Sequence, residues 1–217
     1  MFLLFDLLQR IKFKLSLDRK NYLLKYAKSR SISSILEIGV FNGNFAERLL
    51  KSITLNAPES KIRYLGVDLF AEGFTEEIHV SEVSLHPKSV ASIQKKLSKF
   101  KNATVKLIPG DSVYVLPKIQ NYETFDIVHI DGGHSYNTVL QDWLNVSNLM
   151  DINTAVFFDD YANSRGSSLG GFGVNMVVDQ IDTKKYDVEL STNCDFFWKD
   201  YGLLILRMAK VTLKSKI

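Results

Sequence analysis

The chain has 217 residues, of which 46% are hydrophobic and 24% are charged, so it is large enough to form one substantial core. Its net charge of +3 is too small to indicate a nucleic-acid partner. The single cysteine, Cys194, excludes an internal disulfide framework and a paired-cysteine metal site. We therefore expect a cytoplasmic protein with one main domain.

Basic residues crowd the first thirty positions, and apolar residues there recur at helical spacing. This pattern predicts a basic amphipathic helix within an N-terminal extension, residues 1–33. The apolar positions are Leu4, Leu7, Leu8, Ile11 and Leu15. The apolar run is interrupted by Asp6 and is too short for a transmembrane segment or a signal sequence. We expect the helix to pack on the domain or on a second copy of the chain, with contact to a membrane surface as the alternative.

From residue 34 onward, short apolar runs alternate with longer helical patterns. Strands are predicted over residues 35–40, 63–69, 104–108, 125–130 and 155–158. Helices are predicted over residues 44–52, 87–100, 112–120 and 136–149. Apolar strands separated by helices are typical of a parallel sheet covered on both faces. We therefore expect a doubly wound, Rossmann-like α/β domain over residues 34–217.

The end of the chain has a different pattern. Residues 186–190 and 201–208 are strand-like, and the ten residues between them leave no room for a crossover helix. A connection of this length requires an antiparallel pair. The prediction is a mostly parallel, seven-stranded sheet that ends in an antiparallel hairpin.

Two of the predicted strands end abruptly in acidic residues. Asp131 follows one strand, and Asp159 and Asp160 follow the next. The carboxyl ends of neighbouring parallel strands meet at one edge, so these three carboxylates and His134 are expected to lie together. Like charges at that distance are costly without a cation, and oxygen ligands suit Mg, Mn or Ca better than Zn. The sequence therefore predicts a divalent metal site.

The remaining polar residues near this edge give weaker signals. His129 alternates with Asp131 on one strand face, and we expect it to be a partly buried polar residue. Asp142 on the following helix is expected to face solvent. His79 and His86 have no ligand spacing with each other or with Cys194, which argues against zinc.

A glycine turn follows the first strand of the domain, with Gly39 and Gly43 four residues apart. Glycine lets the backbone adopt positive φ and approach a ligand closely. Asp68, at the end of the second strand, can accept hydrogen bonds from both hydroxyls of a ribose. Together these features indicate a nucleoside-containing cofactor.

At these residues the chain resembles the class I S-adenosylmethionine-dependent methyltransferases. The resemblance rests on the turn from Glu37 through Gly39 to Gly43 and on the Gly110-Asp111-Ser112 segment after the third strand. It implies that the turn, including Glu37, lies under the methionine part of S-adenosylmethionine. It also implies that Asp68 binds ribose and that Asp111 with Ser112 meets adenine. Phe41 stands where many members have a glycine.

The acidic segments resemble the metal site of cation-dependent O-methyltransferases, most closely the branch that acts on macrolide and aminocoumarin sugars. The resemblance implies that Asp131, Asp159 and Asp160 hold a divalent cation, with Mg expected. It implies that His134 is the base for an acceptor hydroxyl, whereas the structural alternative is that His134 caps the following helix. The acceptor would be a sugar or another small polyol.

Three other functions are compatible with the fold. They are a nucleic-acid methyltransferase, a non-catalytic binding subunit that retains the fold, and a nicotinamide dehydrogenase. The segment after Asp131 lacks the Pro-Pro-aromatic pattern associated with amino methylation of bases, so no nucleic-acid partner is expected. Loops 71–86 and 161–173 are predicted to cover the acceptor, and the N-terminal helix could mediate a homo-oligomer.

Overall fold

The computed structural model describes residues 14–16, 18–72, 88–119, 124–165, 173–199 and 202–215. Its strands are β1 Lys14–Ser16, β2 Ser34–Ile38, β3 Ile62–Asp68, β4 Ala103–Pro109, β5 Ile127–Ile130, β6 Ala155–Arg165, β7 Tyr186–Leu190, β8 Asp195–Lys199 and β9 Gly202–Leu213. Its helices are α1 Asn21–Lys28, α2 Asn44–Asn56, α3 Val90–Leu97, α4 Ser112–Val115, α5 Tyr136–Ser147 and α6 Gly173–Val178, and a 3-10 turn, Leu116–Ile119, follows α4.

The described strands form a single mixed sheet in the order β1-β8-β9-β6-β5-β2-β3-β4, with β7 also paired to β9. The five strands β4, β3, β2, β5 and β6 are parallel to their neighbours in this series. β9 runs antiparallel to β6, β7 and β8. This arrangement confirms the predicted doubly wound α/β fold with an antiparallel end.

Two differences from the prediction lie at that antiparallel end. The segment expected to be a plain connection contains β8, and β7 and β8 pair with successive halves of β9. If β7 and β8 count as one interrupted strand, the expected seven positions are filled and β1 adds an eighth. Leu15, which the helical spacing placed on an amphipathic helix, lies in β1 instead. The backbone of Leu15 pairs with β8, a strand distant in sequence. Local helical spacing therefore did not predict the secondary structure at this residue.

The core lies on both faces of the sheet, as continuous apolar strands require. Successive residues of β2 point to opposite faces: Ile35 joins the cluster under α1, α2 and α3, whereas Leu36 joins the cluster under α4, α5 and α6. Helix α2 buries one apolar stripe because these residues recur at helical spacing. The buried residues of that stripe are Phe45, Ala46, Leu49, Leu50 and Ile53.

The N-terminal part that the structure describes packs on the main sheet. Leu23 and Ala27 of α1 are buried, and the rings of Tyr22 and Tyr26 meet the ring of Phe157 edge-on, with centroids 5.9 and 5.2 Å away. Residues 1–13 of the predicted amphipathic helix lie outside the described residues. None of the described helices is long and apolar enough to cross a membrane.

Candidate functional site

The strand order reverses between β2 and β5, and the loops that follow these strands meet at this point. In doubly wound sheets, ligands bind in the crevice at such a switch point. Asp131 follows β5 directly, and its backbone N–H donates to the carbonyl of Ile38 at the end of β2 over 2.8 Å. The neighbouring strand β6 brings Asp159 and Asp160 to the same edge.

A β-bulge places these two adjacent aspartates. The predicted strand ended at Phe158, but β6 continues to Arg165 with a register shift between Phe158 and Tyr161. Asp160 has a φ of +55°, in the left-handed region that is unusual for a residue other than glycine. Successive side chains of a regular strand point to opposite faces, and the bulge relieves this constraint. Asp159 is buried, whereas Asp160 is half-buried.

We call the end of β5 and the bulge of β6, which carry Asp131, Asp159 and Asp160, the acidic edge. Arg19, from the turn before α1, reaches this acidic edge. Its guanidinium donates to both oxygens of Asp159 over 2.6 and 3.1 Å, and it also contacts Asp160 and, over 2.6 Å, Asp195 of β8. Burial opposes the charge on Arg19, but these carboxylates outweigh it and raise the pKa of the guanidinium. The N-terminal extension thus contributes to the site, which the sequence did not indicate.

Lys20 lies beside Arg19 and bridges the end of β5 and the bulge of β6. Its ammonium is 2.6 Å from Oδ2 of Asp131 and 3.0 Å from Oδ2 of Asp159. Burial raises the pKa of Asp159, but the charges of Lys20 and Arg19 outweigh burial and hold it below the usual range. Burial and the charge of Asp159 raise the pKa of Asp131 to about 6. The Lys20 ammonium therefore marks a position where a cation is stabilised by two carboxylates.

His134 also belongs to this acidic edge, as the sequence predicted. Its Nε2 lies 2.9 Å from Oδ2 of Asp160. This contact raises the pKa of His134 above its ordinary value, although burial acts in the opposite direction. The helix cap is Ser135, whose hydroxyl accepts from the N–H of Thr138, so the alternative role of His134 as a cap is wrong.

The donor groups fit a divalent cation. Among the described residues, two sets of three side chains have ligand atoms that all lie within 4.8 Å of one another. One set is His129, Asp131 and Asp159, and the other is Asp131, His134 and Asp160. Asp131 is common to both, while Asp159 and Asp160 fall in different sets. A cation here would take the place of the Lys20 ammonium.

The glycine turn lies against this acidic edge. Gly39 has a φ of +88°, and a Cβ added there would be only 1.9 Å from the carbonyl oxygen of Asp131. Glycine is therefore required both by the backbone conformation and by the close approach of the two loops. Gly43 has a φ of +69° and precedes α2. Phe41 is exposed between them and also has a positive φ.

The acids predicted to bind the nucleoside lie at the carboxyl ends of two strands: Asp68 is the last residue of β3, and Asp111 follows β4. Asp68 stabilises the glycine turn, because its Oδ2 accepts from the N–H of Phe41 over 2.7 Å while Oδ1 accepts from Phe70 over 3.0 Å. Each carboxylate oxygen has a second lone pair that could accept from a ligand. Asp111 caps α4 through a 2.9 Å bond from the N–H of Val113, and Ser112 is the first residue of that helix.

Glu37 differs from the other predicted cofactor residues because it is buried within the sheet. Its carboxylate accepts from the hydroxyl of Tyr64 and lies 3.3 Å from Nδ1 of His129. Burial, followed by the charge of Glu37, raises the pKa of Tyr64 well above its usual value. Glu37 thus supports the floor beneath the turn and is separate from the exposed surface where Phe41 lies.

Comparison with known proteins identifies the fold family. A family described as a methyltransferase domain matches residues 36–161, more than half of the chain. The chain belongs to this methyltransferase family. The match confirms the predicted S-adenosylmethionine-dependent methyltransferase of class I. No curated protein matches the chain.

Solved structures with the same fold have low sequence identity to this methyltransferase. The O-methyltransferase TomG from Streptomyces achromogenes is 17% identical with a TM-score of 0.61, covering 91% of this chain and 81% of its own. The O-methyltransferase from Bacillus cereus is 16% identical with a TM-score of 0.62, covering 91% and 82%. An rRNA methylase from Streptococcus thermophilus is 12% identical with a TM-score of 0.56, covering 91% and 98%. At these identities the likeness shows the fold alone.

Two polar residues of the methyltransferase lie deeper than the sequence predicted. His129 was expected to be partly buried but is 0% exposed, with the ring of Phe45 packed against it at 4.6 Å. Asp142 was expected to face solvent, which is wrong, because it is also 0% exposed. Neither oxygen of Asp142 has a hydrogen-bond partner among the described residues. Helical periodicity could have placed it, since Val139, Trp143 and Val146 on the same helix are buried too.

The burial of Asp142 predicts a stability change with pH. Burial raises its pKa to about 7. The unfolded chain releases this proton near pH 4, so the free energy of unfolding should fall as pH rises from about 4 to about 7. We expect Asp142→Asn to remove this fall and to stabilise the protein by up to about 4 kcal/mol at alkaline pH. Urea unfolding across this pH range measures the effect, and an equal decline in both proteins would contradict it.

Proposed function

We propose that this methyltransferase is cation-dependent and transfers the methyl group of S-adenosylmethionine to a hydroxyl of a sugar or another small polyol. The observation that carries this proposal is the convergence of Asp131, Asp159, Asp160 and His134 beside the Gly39 turn. The carbonyl of Asp131 packs directly against Gly39, so a donor bound over the turn would have its reactive end next to the acidic edge.

The donor would lie along the carboxyl ends of β2, β3 and β4. Gly39 and Gly43 would hold the methionine part, and Asp68 would accept from the ribose hydroxyls. Asp111 and Ser112 would meet the adenine at the N-terminus of α4. The fit to the fold supports these roles, because all five residues lie at or just after the carboxyl ends of neighbouring strands, at one edge of the sheet. Of the residues that the resemblance assigned to the donor, Glu37 would act from below, by fixing the floor of the turn.

Asp131, Asp159 and Asp160 would hold the divalent cation, for which Mg was the expectation from oxygen ligands. A bound cation supplies a lowered pKa for the acceptor hydroxyl and a fixed orientation for it. Lys20 would have to withdraw from Asp131 and Asp159 for the cation to bind, because it contacts both carboxylates. By fixing the position of the cation, the three carboxylates would place the acceptor oxygen in line with the methyl group.

His134 would accept the proton of the acceptor hydroxyl. When Nε2–H donates to Asp160, the lone pair of the imidazole is on Nδ1, which would take the proton. Asp160 stabilises the protonated form that results, which is consistent with the raised pKa of His134. This pairing of a base with an orienting carboxylate is the arrangement that general-base catalysis requires.

The proposal also covers domain organisation, location and assembly. Residues 1–33 would be an N-terminal extension, and residues 34–217 the methyltransferase domain. Cytoplasmic location is supported by Cys194, which is a buried free thiol. Assembly into a homo-oligomer or contact with a membrane surface would involve residues 1–13. The two loops expected to cover the acceptor lie mostly outside the described residues, at 73–87 and 166–172.

The test is methyl transfer from labelled S-adenosylmethionine to a panel of sugars, polyols and catechols, with ribosomal RNA in parallel. We expect excess EDTA to lower turnover on a small hydroxyl acceptor by at least about 100-fold, with recovery when Mg or Mn is added back. Binding of S-adenosylhomocysteine in EDTA, measured by calorimetry, checks that the donor site is intact. Undiminished turnover in EDTA would contradict cation dependence, and salt-dependent RNA methylation would favour a nucleic-acid enzyme.

A further inference from the structure

His129 is a buried imidazole, and one of its two ring nitrogens has no hydrogen-bond partner among the described residues. The residue is 0% exposed. Its Nδ1 lies 3.3 Å from Oε1 of Glu37, whereas Nε2 has no hydrogen-bond partner among the described residues. A buried polar atom without a partner is costly, and it indicates either a ligand or a water at that position. The ring belongs to the set in which ligand atoms of His129, Asp131 and Asp159 lie within 4.8 Å of one another.

Glu37 fixes which nitrogen of His129 is available. Glu37 and His129 are direct neighbours in the register of β2 and β5. The Tyr64 hydroxyl donates to one oxygen of Glu37, and the other oxygen is left to accept from Nδ1–H of His129. With the proton on Nδ1, the lone pair is on Nε2. A carboxylate that holds the far nitrogen of an imidazole is the usual support of a metal-binding histidine.

Lys20 shows that a cation is stabilised close to this imidazole. Its ammonium contacts Asp131 and Asp159, the other two members of the set. The ammonium also lies 4.9 Å from the centre of the Phe45 ring, and that ring packs on His129. The two carboxylates, the aromatic ring and the imidazole therefore surround one small volume that favours positive charge.

We propose that His129 is a nitrogen ligand of the divalent cation through Nε2, with Asp131 and Asp159 as the oxygen ligands and Glu37 as the positioning residue. This inference rests on the proposed cation-dependent function and refines its metal site, since His129 takes the place of Asp160 as the third protein ligand and the preferred metal changes. Imidazole suits transition metals such as Fe, Ni, Cu or Zn, whereas Mg and Ca prefer oxygen alone. The site should therefore select a transition metal over the Mg that the acidic residues alone suggested.

Pulsed electron paramagnetic resonance of the Mn-loaded protein tests this ligand. The chain has four histidines, so a variant with His79→Gln, His86→Gln and His134→Gln leaves His129 alone. We expect this triple variant to retain the 14N coupling of a bound imidazole. Labelling its histidine with 15N should replace the 14N coupling with a 15N coupling. His129→Gln is expected to lose the coupling and to weaken Mn binding by about 100-fold.

Metal preference gives a second measurement. Calorimetry of the wild-type protein should show Ni binding at least about 100-fold tighter than Mg binding. Glu37→Gln should weaken Mn binding by about 10- to 100-fold while leaving the oxygen ligands in place. Circular dichroism and S-adenosylhomocysteine binding report whether each variant is folded. The triple variant decides the question even if His129→Gln does not fold.

The outcomes separate this inference from the proposed function. Mn binding without an imidazole coupling in the triple variant would overturn His129 as a ligand, and the cation-dependent function would stand. A preference for Mg over Ni would overturn the inference in the same way. Failure of the wild-type protein to bind any divalent cation would overturn both.

Discussion

Replacing Lys20 with methionine should tighten divalent-cation binding by about 100-fold. In the wild-type protein the proposed cation would have to displace the Lys20 ammonium from Asp131 and Asp159, which it contacts at 2.6 and 3.0 Å. Methionine keeps the apolar stem and removes the competing charge. Breaking a partly buried pair of this kind costs about 3 kcal/mol, which corresponds to about 100-fold in affinity.

Calorimetry with Mn measures the affinity, and thermal melts with and without Mn provide a second readout. Without metal, Lys20→Met should melt at a lower temperature, because Asp131 and Asp159 then repel each other. Added Mn should restore the melting temperature more than it does in the wild type. Lys25→Met is the matched control, since it removes the same charge from an exposed position on α1. Unchanged or weaker Mn binding in Lys20→Met would show that the cation does not use this position.

Asp159→Asn should have the largest effect on both stability and activity. Asp159 is fully buried and pairs with Arg19 and Lys20, so the isosteric amide leaves two partly buried cations with fewer partners. The free energy of unfolding should fall by about 3 to 5 kcal/mol. Turnover should fall by at least about 100-fold, because the proposed cation would lose a ligand. Binding of S-adenosylhomocysteine should persist, since Gly39 and Asp68 are unchanged.

Urea unfolding, calorimetry and initial rates give these three quantities for one preparation. Asp187→Asn is the control, because Asp187 is exposed and its 3.5 Å pair with Lys214 lies on the surface. That variant should change the free energy of unfolding by less than about 0.5 kcal/mol and leave turnover unaffected. A folded Asp159→Asn enzyme that binds the donor and retains full turnover would rule out Asp159 as a ligand.

Much of the fold follows from short-range patterns in the sequence. The apolar runs that became β2, β3, β4 and β5 were predicted within a few residues of their bounds. Strands β2, β3 and β5 are buried on both faces, and the edge strand β4, which is more exposed, is still recognised by its β-branched residues and flanking helices. The strands that were missed, β1 and β8, lie at the antiparallel edge. Their partners are distant in sequence, and their own residues carry no alternating pattern strong enough to indicate a strand.

The sequence predicted the site residues that lie at strand ends. It did not predict the basic residues that reach the site through long-range contacts. Asp131, Asp159, Asp160 and His134 converge because parallel strands present their carboxyl ends at one edge. The ion pairs from Arg19 to Asp159 and Asp195 span 140 and 176 positions along the chain. Several basic residues crowd that part of the sequence, and no local pattern distinguishes Arg19 and Lys20 from the others.

The left-handed backbone of Asp160 allows substitutions that change the charge at this position without changing the backbone conformation. Asparagine and glycine tolerate a φ of +55° about as well as aspartate, while branched or bulky residues do not. Related enzymes could therefore exchange the carboxylate for an amide, or delete it, without refolding the strand. Single substitutions at this bulge would therefore change the charge of the acidic edge while the backbone stays the same.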